Sequence, residues 1–168
     1  HYVEKLGMLP SQVMEGYDVV DNSYFKSSVF EYRLQDSVSK IGIGISAPFF
    51  LCVSRFIPKK NIEALLDAYA EYNAGALEAK ENPWNLVLIG DGPLYQKYQQ
   101  QIIYLGLQEW VHLTGFKQYC DLPKYYAAAS CLILPSRIEP WGLVVNEAMA
   151  SGLPVLVSNR CGCASDLV

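Results

Sequence analysis

The sequence predicts an open parallel α/β sheet with helices on both faces, on three observations. Short apolar runs at residues 49–53, 84–89, 110–116, 131–135 and 155–158 alternate with stretches of helical period. Those runs lack the polar alternation of a half-exposed strand, as expected for strands covered on both sides. Each run ends in a glycine, proline or polar turn that leads onward to a helix, the rhythm that builds a parallel sheet.

The first 46 residues differ in character, being rich in Ser, Tyr and mixed charge and without long apolar runs. Residues 1–7 read as the end of a helix with Gly7 as its cap. Residues 13–20 read as a short strand, Asp21-Asn22 as a turn, and 25–40 as a helix with Phe30 and Leu34 on one face. This segment reads as a tail or linker before a domain at 47–168. Within that domain Asn61 is placed to cap a helix whose Ile62, Leu65, Leu66, Tyr69 and Tyr72 follow the helical period. Pro93 suits the first turn of a helix reaching Gly106, with Leu94, Tyr98, Ile102 and Leu105 on its buried face. Asp121 is expected to cap a short helix, and residues 142–151 form another, stopped by Gly152 and Pro154.

At 168 residues and 51% hydrophobic content the chain has material for one large core. A net charge of −4 argues against nucleic acid or an anionic membrane as the main partner. No apolar run approaches the ~18 residues of a membrane span, and no signal peptide opens the chain, whose start at His1 suggests a fragment. The cysteines Cys52, Cys120, Cys131, Cys161 and Cys163 are odd in number and fit neither a disulfide framework nor zinc. Cys161 and Cys163 are too close in sequence for a usual zinc pair. A reducing cytoplasm is the expected location, with association at a membrane periphery compatible in the full-length protein.

In open parallel sheets ligands bind beyond the carboxyl ends of the strands. After the first strand stand Arg55, Lys59 and Lys60, at a helix start, which read either as an anion site or as a solvated basic turn. After the second come Gly90-Asp91-Gly92-Pro93, where the glycines either admit a ligand or simply turn the chain. The dinucleotide fingerprint is not met, since only Gly-x-Gly is present and not after the first strand. The fourth strand leads into residues 135–152. Here Glu139 lies in the loop, and Glu147 lies in the next helix, where side chains lean back toward the N-terminus. Gly142, Leu143 and Val144 offer free amides between them. Carboxylates accept hydrogen bonds from sugar hydroxyls and amides donate to phosphate oxygens, so one ligand can use both. The plain alternative is a capped helix with two surface glutamates. His112, inside a strand, reads as a packed or hydrogen-bonded residue. The 12 tyrosines read as core and surface residues without the basic stripe of a stacking platform.

At these loops the chain resembles the family 4 retaining glycosyltransferases of the GT-B fold. Residues 136–152 contain their Glu-x7-Glu pattern as Glu139 and Glu147. The likeness extends through residues 54–60, 89–94 and 152–155. The resemblance implies a Rossmann-like donor-binding domain, the C-terminal half of a GT-B fold. Residues 11–25, with the stretch 17–22 within them, look like the crossing from an N-terminal acceptor domain into this one. It implies transfer of a hexose-type sugar from a nucleotide sugar to a saccharide or glycoconjugate acceptor with retention, as in polysaccharide assembly. Arg55 and Lys60 would meet the donor diphosphate, and Glu139 the sugar hydroxyls. Gly90 and the amides of Gly142, Leu143 and Val144 would line the donor, and Glu147 would accept from the ribose. Backbone near Phe116 and Lys117 would read the base. No metal or other cofactor is implied.

Trp141 stands where Phe or Tyr is more usual, and Asp166 near a position where Glu is common. The chain stops before the family's last strand and helices, so by itself it is expected to bind donor weakly or not at all and to transfer no sugar. Two other readings compete: a GT-B-like sugar-nucleotide epimerase, and a sugar-nucleotide-binding module without catalysis. A nicotinamide oxidoreductase is disfavoured because the first strand lacks its glycine turn.

Overall fold

The computed structural model describes residues 2–13, 16, 18–34, 44, 45 and 48–168. In chain order the elements are α1 (Tyr2–Lys5), α2 (Asn22–Leu34), β1 (Phe49–Val53), α3 (Ile62–Glu78), β2 (Asn85–Ile89), α4 (Tyr95–Tyr104), β3 (Val111–Leu113), α5 (Leu122–Ala128), β4 (Cys131–Leu134), α6 (Leu143–Ala150), β5 (Val155–Val157) and α7 (Ala164–Leu167). Single 3-10 turns occur at Pro58–Lys60 and Tyr119–Asp121.

The five strands form one parallel sheet in the order β3-β2-β1-β4-β5. This is the expected α/β class. Because successive side chains of a strand point to opposite faces, both sets must be buried for the runs to be wholly apolar. Phe49, Leu51, Val87, Ile89, Leu132 and Leu134 pack with residues of α2, α5 and α6. Cys52, Leu86 and Leu88 pack on the other side with Leu66 and Tyr69 of α3 and Tyr98 and Ile102 of α4. The strands fall where the apolar runs predict them, with β3 shortened to three residues at the sheet edge.

Chain order reverses between the central strand β1 and its neighbour β4. Their ladder pairs Phe50 with Cys131 and Leu51 with Leu132 and goes no further. β1 and β2, by contrast, pair from Phe49–Asn85 through Val53–Ile89. The carboxyl ends of β1 and β4 therefore part, and the loops that follow leave toward opposite faces of the sheet.

The N-terminal segment departs most from expectation. The described residues of 13–20 form no strand. Helix α2 begins earlier than expected, at Asn22, and residues 35–40 of the expected helix lie outside the described residues, as do residues 46 and 47 at the proposed domain boundary. Its buried side chains are Phe25 and Val29, whereas Phe30 and Leu34 are exposed. Phe25 meets Tyr119 and Tyr126 edge-to-face at 5.3 and 5.7 Å. Full burial of such a ring contributes about 1.5–3 kcal/mol, so this part of the segment is core rather than a tail.

Two expected caps are absent. Asp121 makes no cap bond to α5; its carboxylate accepts from Lys124 at 3.3 Å instead. Asn61 stands at the start of α3 in a left-handed conformation, φ 59° and ψ 30°, and makes no side-chain cap bond. On α3 Ile62, Leu65, Leu66 and Tyr69 are buried as expected, but Tyr72 is exposed, its hydroxyl accepting from the Trp84 amide at 3.0 Å. Among the described residues no helix is long and apolar enough to cross a membrane.

Candidate functional site

A cavity of about 850 Å³ opens where β1 and β4 part. The loop after β1 supplies Arg55, Lys59 and Lys60, and the turn after β2 supplies Gly90 and Asp91. Phe116 and Lys117 follow β3; Glu139, Trp141, Gly142, Leu143 and Val144 follow β4. Every site residue expected from the sequence lines this one cavity except Glu147. The protein is acidic as a whole, yet the cavity gathers Arg55, Lys59, Lys60 and Lys117 against Asp18, Asp91 and Glu139. The local balance suits an anionic ligand that also carries hydroxyl groups.

At the centre Lys60 Nζ is ion-paired with Glu139 Oε2, and the two side chains are only 15% and 11% exposed. Ser136 Oγ also donates to that oxygen, at 3.3 Å. The backbone of Glu139 is fixed by its amide donating to the Arg160 carbonyl at 3.3 Å and its carbonyl accepting from the Gly162 amide at 2.9 Å. A Cβ on Gly162 would stand 1.9 Å from the Pro140 carbonyl oxygen, so glycine is required for this approach.

Of the two readings left open for the glycine turn, the chain-turning one is what the structure shows. Gly90, at φ 147°, turns the chain, and a Cβ there would sit 1.8 Å from the Ser54 carbonyl oxygen. Its closeness to the loop after β1 leaves Gly90 in the cavity wall. Gly142 starts α6 at φ 108° and lies over Leu134 and Cys163, whose nearest atoms would be 3.0 and 3.4 Å from an added Cβ. The first amides of α6 have no acceptor within the helix and border the cavity.

Glu147 is the correction. Its lean toward the helix N-terminus suggested a carboxylate aimed into the cleft. Instead the residue is 7% exposed and Oε2 accepts a 2.6 Å hydrogen bond from the Tyr126 hydroxyl of α5. α5 and α6 lie on the same face of the sheet, so a buried phenol is within reach. Burial raises the Glu147 pKa above the usual carboxylate range, and the Tyr126 bond acts against that rise. Tyr126 itself is pushed well above the usual phenol range by burial and by the facing carboxylate.

Sequence reasoning did not place Asp18 in the cavity wall, and it singled out Trp141 only as a departure from the usual Phe or Tyr beside the sugar. They are connected: the Trp141 indole donates to Asn146 Oδ1 at 2.9 Å, and Asn146 Nδ2 donates to the Asp18 carbonyl at 3.3 Å. Trp141 and Asn146 are five residues apart across a helix start, and no local pattern announces a bond back to residue 18. His112 is hydrogen-bonded across strands to Asn85 at 3.2 Å, as expected for a structural histidine, and burial lowers its pKa. The five cysteines are free thiols, with Cys120 exposed and the others buried. Among the described residues no group of three or more His, Cys, Asp or Glu is placed to share a metal ion.

The domain is a doubly wound α/β sheet with a charged pair in a cavity at the strand-order reversal, the place where open α/β sheets generally bind ligands. The chain belongs to the glycosyl transferases group 1 family, whose model matches residues 35–168. It is 33% identical over 131 residues to the alpha-monoglucosyldiacylglycerol synthase of Streptococcus pneumoniae, covering 78% of this chain and 29% of that protein. It is 31% identical over 136 residues to a GDP-mannose-dependent alpha-(1-6)-phosphatidylinositol monomannoside mannosyltransferase of Mycolicibacterium smegmatis, covering 77% of this chain and 34% of that protein. Among solved structures, Anabaena HepE in complex with UDP and glucose superimposes with a TM-score of 0.71 at 27% identity, covering 98% of this chain and 43% of that one. The chain thus spans about a third of the length of these curated relatives.

Proposed function

We propose that the intact protein transfers a hexose from a nucleotide-sugar donor to a saccharide or glycoconjugate acceptor with retention of configuration, and that this chain forms the donor-binding half. The observation that carries the reading is the Lys60–Glu139 pair inside a cavity whose walls bring together basic side chains and the first amides of α6. The solved HepE complex, with UDP and glucose, supports a nucleotide sugar as the class of ligand.

In this reading Arg55 and Lys60 face the diphosphate. As the bond between the anomeric carbon and the phosphate oxygen breaks, its electron pair passes to that oxygen, and the two cations offset the growing charge. No metal is invoked for this task. Glu139 accepts hydrogen bonds from sugar hydroxyls while its pairing with Lys60 keeps its carboxylate oriented. The amides of Gly142, Leu143 and Val144 donate to sugar and phosphate oxygens, and Gly90 leaves room for the ligand. Backbone beside Phe116 and Lys117 reads the base. Glu147 reaches a ribose only with a carboxylate that Tyr126 already engages.

Calorimetric titration of the intact protein with UDP, GDP, ADP and their hexose conjugates tests the donor class. NMR of the anomeric proton in the product tests retention. Glu139→Ala and Arg55→Ala are each expected to weaken donor binding or turnover. If neither does, the site assignment fails.

A further inference from the structure

Asn61 sits between the two sides of the crevice in a way its expected role as a helix cap does not account for. It is one of two non-glycine residues with positive φ among the described residues, at 59°. Asparagine tolerates that conformation better than most residues, and glycine tolerates it without strain. The backbone alone would therefore be served as well by glycine. Both polar atoms of the side chain, however, are engaged. Nδ2 donates to the Pro135 carbonyl at 3.2 Å, and Oδ1 accepts from Arg137 Nε at 2.7 Å. Beside them the Arg137 amide donates to the Lys59 carbonyl at 2.8 Å.

These bonds run from the start of α3 to the loop after β4. They cross the gap where the β1–β4 ladder has already ended at Leu51 and Leu132. Lys60 directly precedes Asn61, and Glu139 follows Arg137 by two residues. A lysine side chain has many rotamers, and its ammonium stays opposite one carboxylate oxygen only if the backbone on both sides is held.

We propose that Asn61 is a positioning residue of the transfer site. Its side-chain amide ties the two diverging loops together, and so sets Lys60 opposite Glu139 at the distance transfer requires. The inference rests on the donor-site reading above. It adds a residue that touches neither donor nor acceptor and acts through the pair.

The test uses the intact protein with UDP-glucose, UDP-galactose, GDP-mannose and ADP-glucose. Release of nucleoside diphosphate by transfer of the sugar to water, the acceptor common to every arm, is followed for whichever donors the parent consumes. Asn61→Gly keeps the left-handed backbone and removes both side-chain bonds. Asn61→Asp keeps the acceptor for Arg137 and loses the donor to Pro135. Arg137→Ala removes one bond from an exposed position. A misplaced pair lowers kcat about ten- to a hundredfold for Asn61→Gly, with the donor KM changing about twofold or less. Smaller losses in kcat are expected for Asn61→Asp and Arg137→Ala, with thermal midpoints close to the parent in all three. Parental kcat in Asn61→Gly would show that only the backbone conformation matters, and would overturn the proposal. Loss of donor binding and kcat together with a collapsed thermal midpoint would also overturn it, as a general folding role. Glu139→Ala in the same assay separates the two levels. If Glu139→Ala is slow and Asn61→Gly is not, this inference alone fails. If Glu139→Ala is unimpaired, or the parent consumes none of the four donors, the donor-site reading fails and this inference with it.

Discussion

The Tyr126 hydroxyl donates a 2.6 Å hydrogen bond to Oε2 of Glu147, joining α5 to α6 inside the core. An acid that the sequence places on a candidate ligand-binding helix is therefore also part of the packing between two helices. Tyr126→Phe keeps the ring and its edge-to-face contact with Phe25 but leaves the carboxylate without this donor. A hydrogen bond to a charged, buried acceptor is worth about 1.5–3 kcal/mol, and the variant should lose roughly that much stability by urea unfolding. A change under about 0.5 kcal/mol would mean that water or another group replaces the phenol.

The same pair predicts a pH dependence. Burial raises the Glu147 pKa in the folded protein, so the folded state keeps this proton where the unfolded chain has released it. The window opens at the ordinary glutamate value, about 4.3, and closes at the raised folded value. Within it the folded state binds more protons, so this residue's contribution is most favourable below the window and declines as pH rises through it. Glu147→Gln removes the titration and leaves an acceptor for Tyr126. Its stability relative to the parent should therefore improve as pH increases from about 4 to about 7. Parallel urea midpoints across that range would contradict the predicted linkage.

Lys60→Ala removes the cation paired with Glu139 in a largely enclosed setting. In the intact protein it is expected to lower turnover by about 10²–10³-fold, the scale associated with removing one preorganised donor at developing charge. The loss should exceed that from Lys59→Ala, because Lys59 lines the cavity from an exposed position. Equal effects from the two would show that the cavity attracts donor through overall charge rather than through the Lys60–Glu139 geometry.

Two glycines are predicted to respond in opposite directions to alanine. Gly162→Ala would drive a Cβ into the Pro140 carbonyl, against the loop that holds Glu139. A loss of about 1–3 kcal/mol is expected, with reduced turnover because Glu139 moves. Gly75 lies within α3, where an added Cβ meets nothing within 4 Å. Gly75→Ala should raise stability by about 0.5–1 kcal/mol without touching activity. Chemical unfolding and a turnover assay on both variants check the contrast.

The sheet was legible because burial on two faces imposes its own composition. The runs at 49–53 and 86–89 are apolar throughout, since Phe49 and Cys52 must each face a layer of helices. The loops at the strand ends could be located for the same reason, and the cavity gathers nearly all of their expected residues. What local pattern could not settle was the choice among equivalent partners. Helix α2 offers Phe25 with Val29 and Phe30 with Leu34, both at helical spacing. The choice between the pairs rests on Tyr119 and Tyr126, nearly a hundred residues away. Asn61 has the composition of a cap, but its amide finds Pro135 and Arg137 across the crevice. Glu147 leans in the expected direction along its helix, yet a phenol on α5 captures it. Each case turns on a contact distant in sequence, which periodicity and spacing do not encode.

The burial of Phe25 and Val29 also bears on protein engineering. Under the proposed function, a chimaera that joined a foreign acceptor half directly before β1 would discard α2 and strip the covering from Tyr126 and the face of the sheet it shares. To exchange N-terminal segments between relatives, the splice belongs upstream of Asn22, so that this helix travels with the sheet it covers.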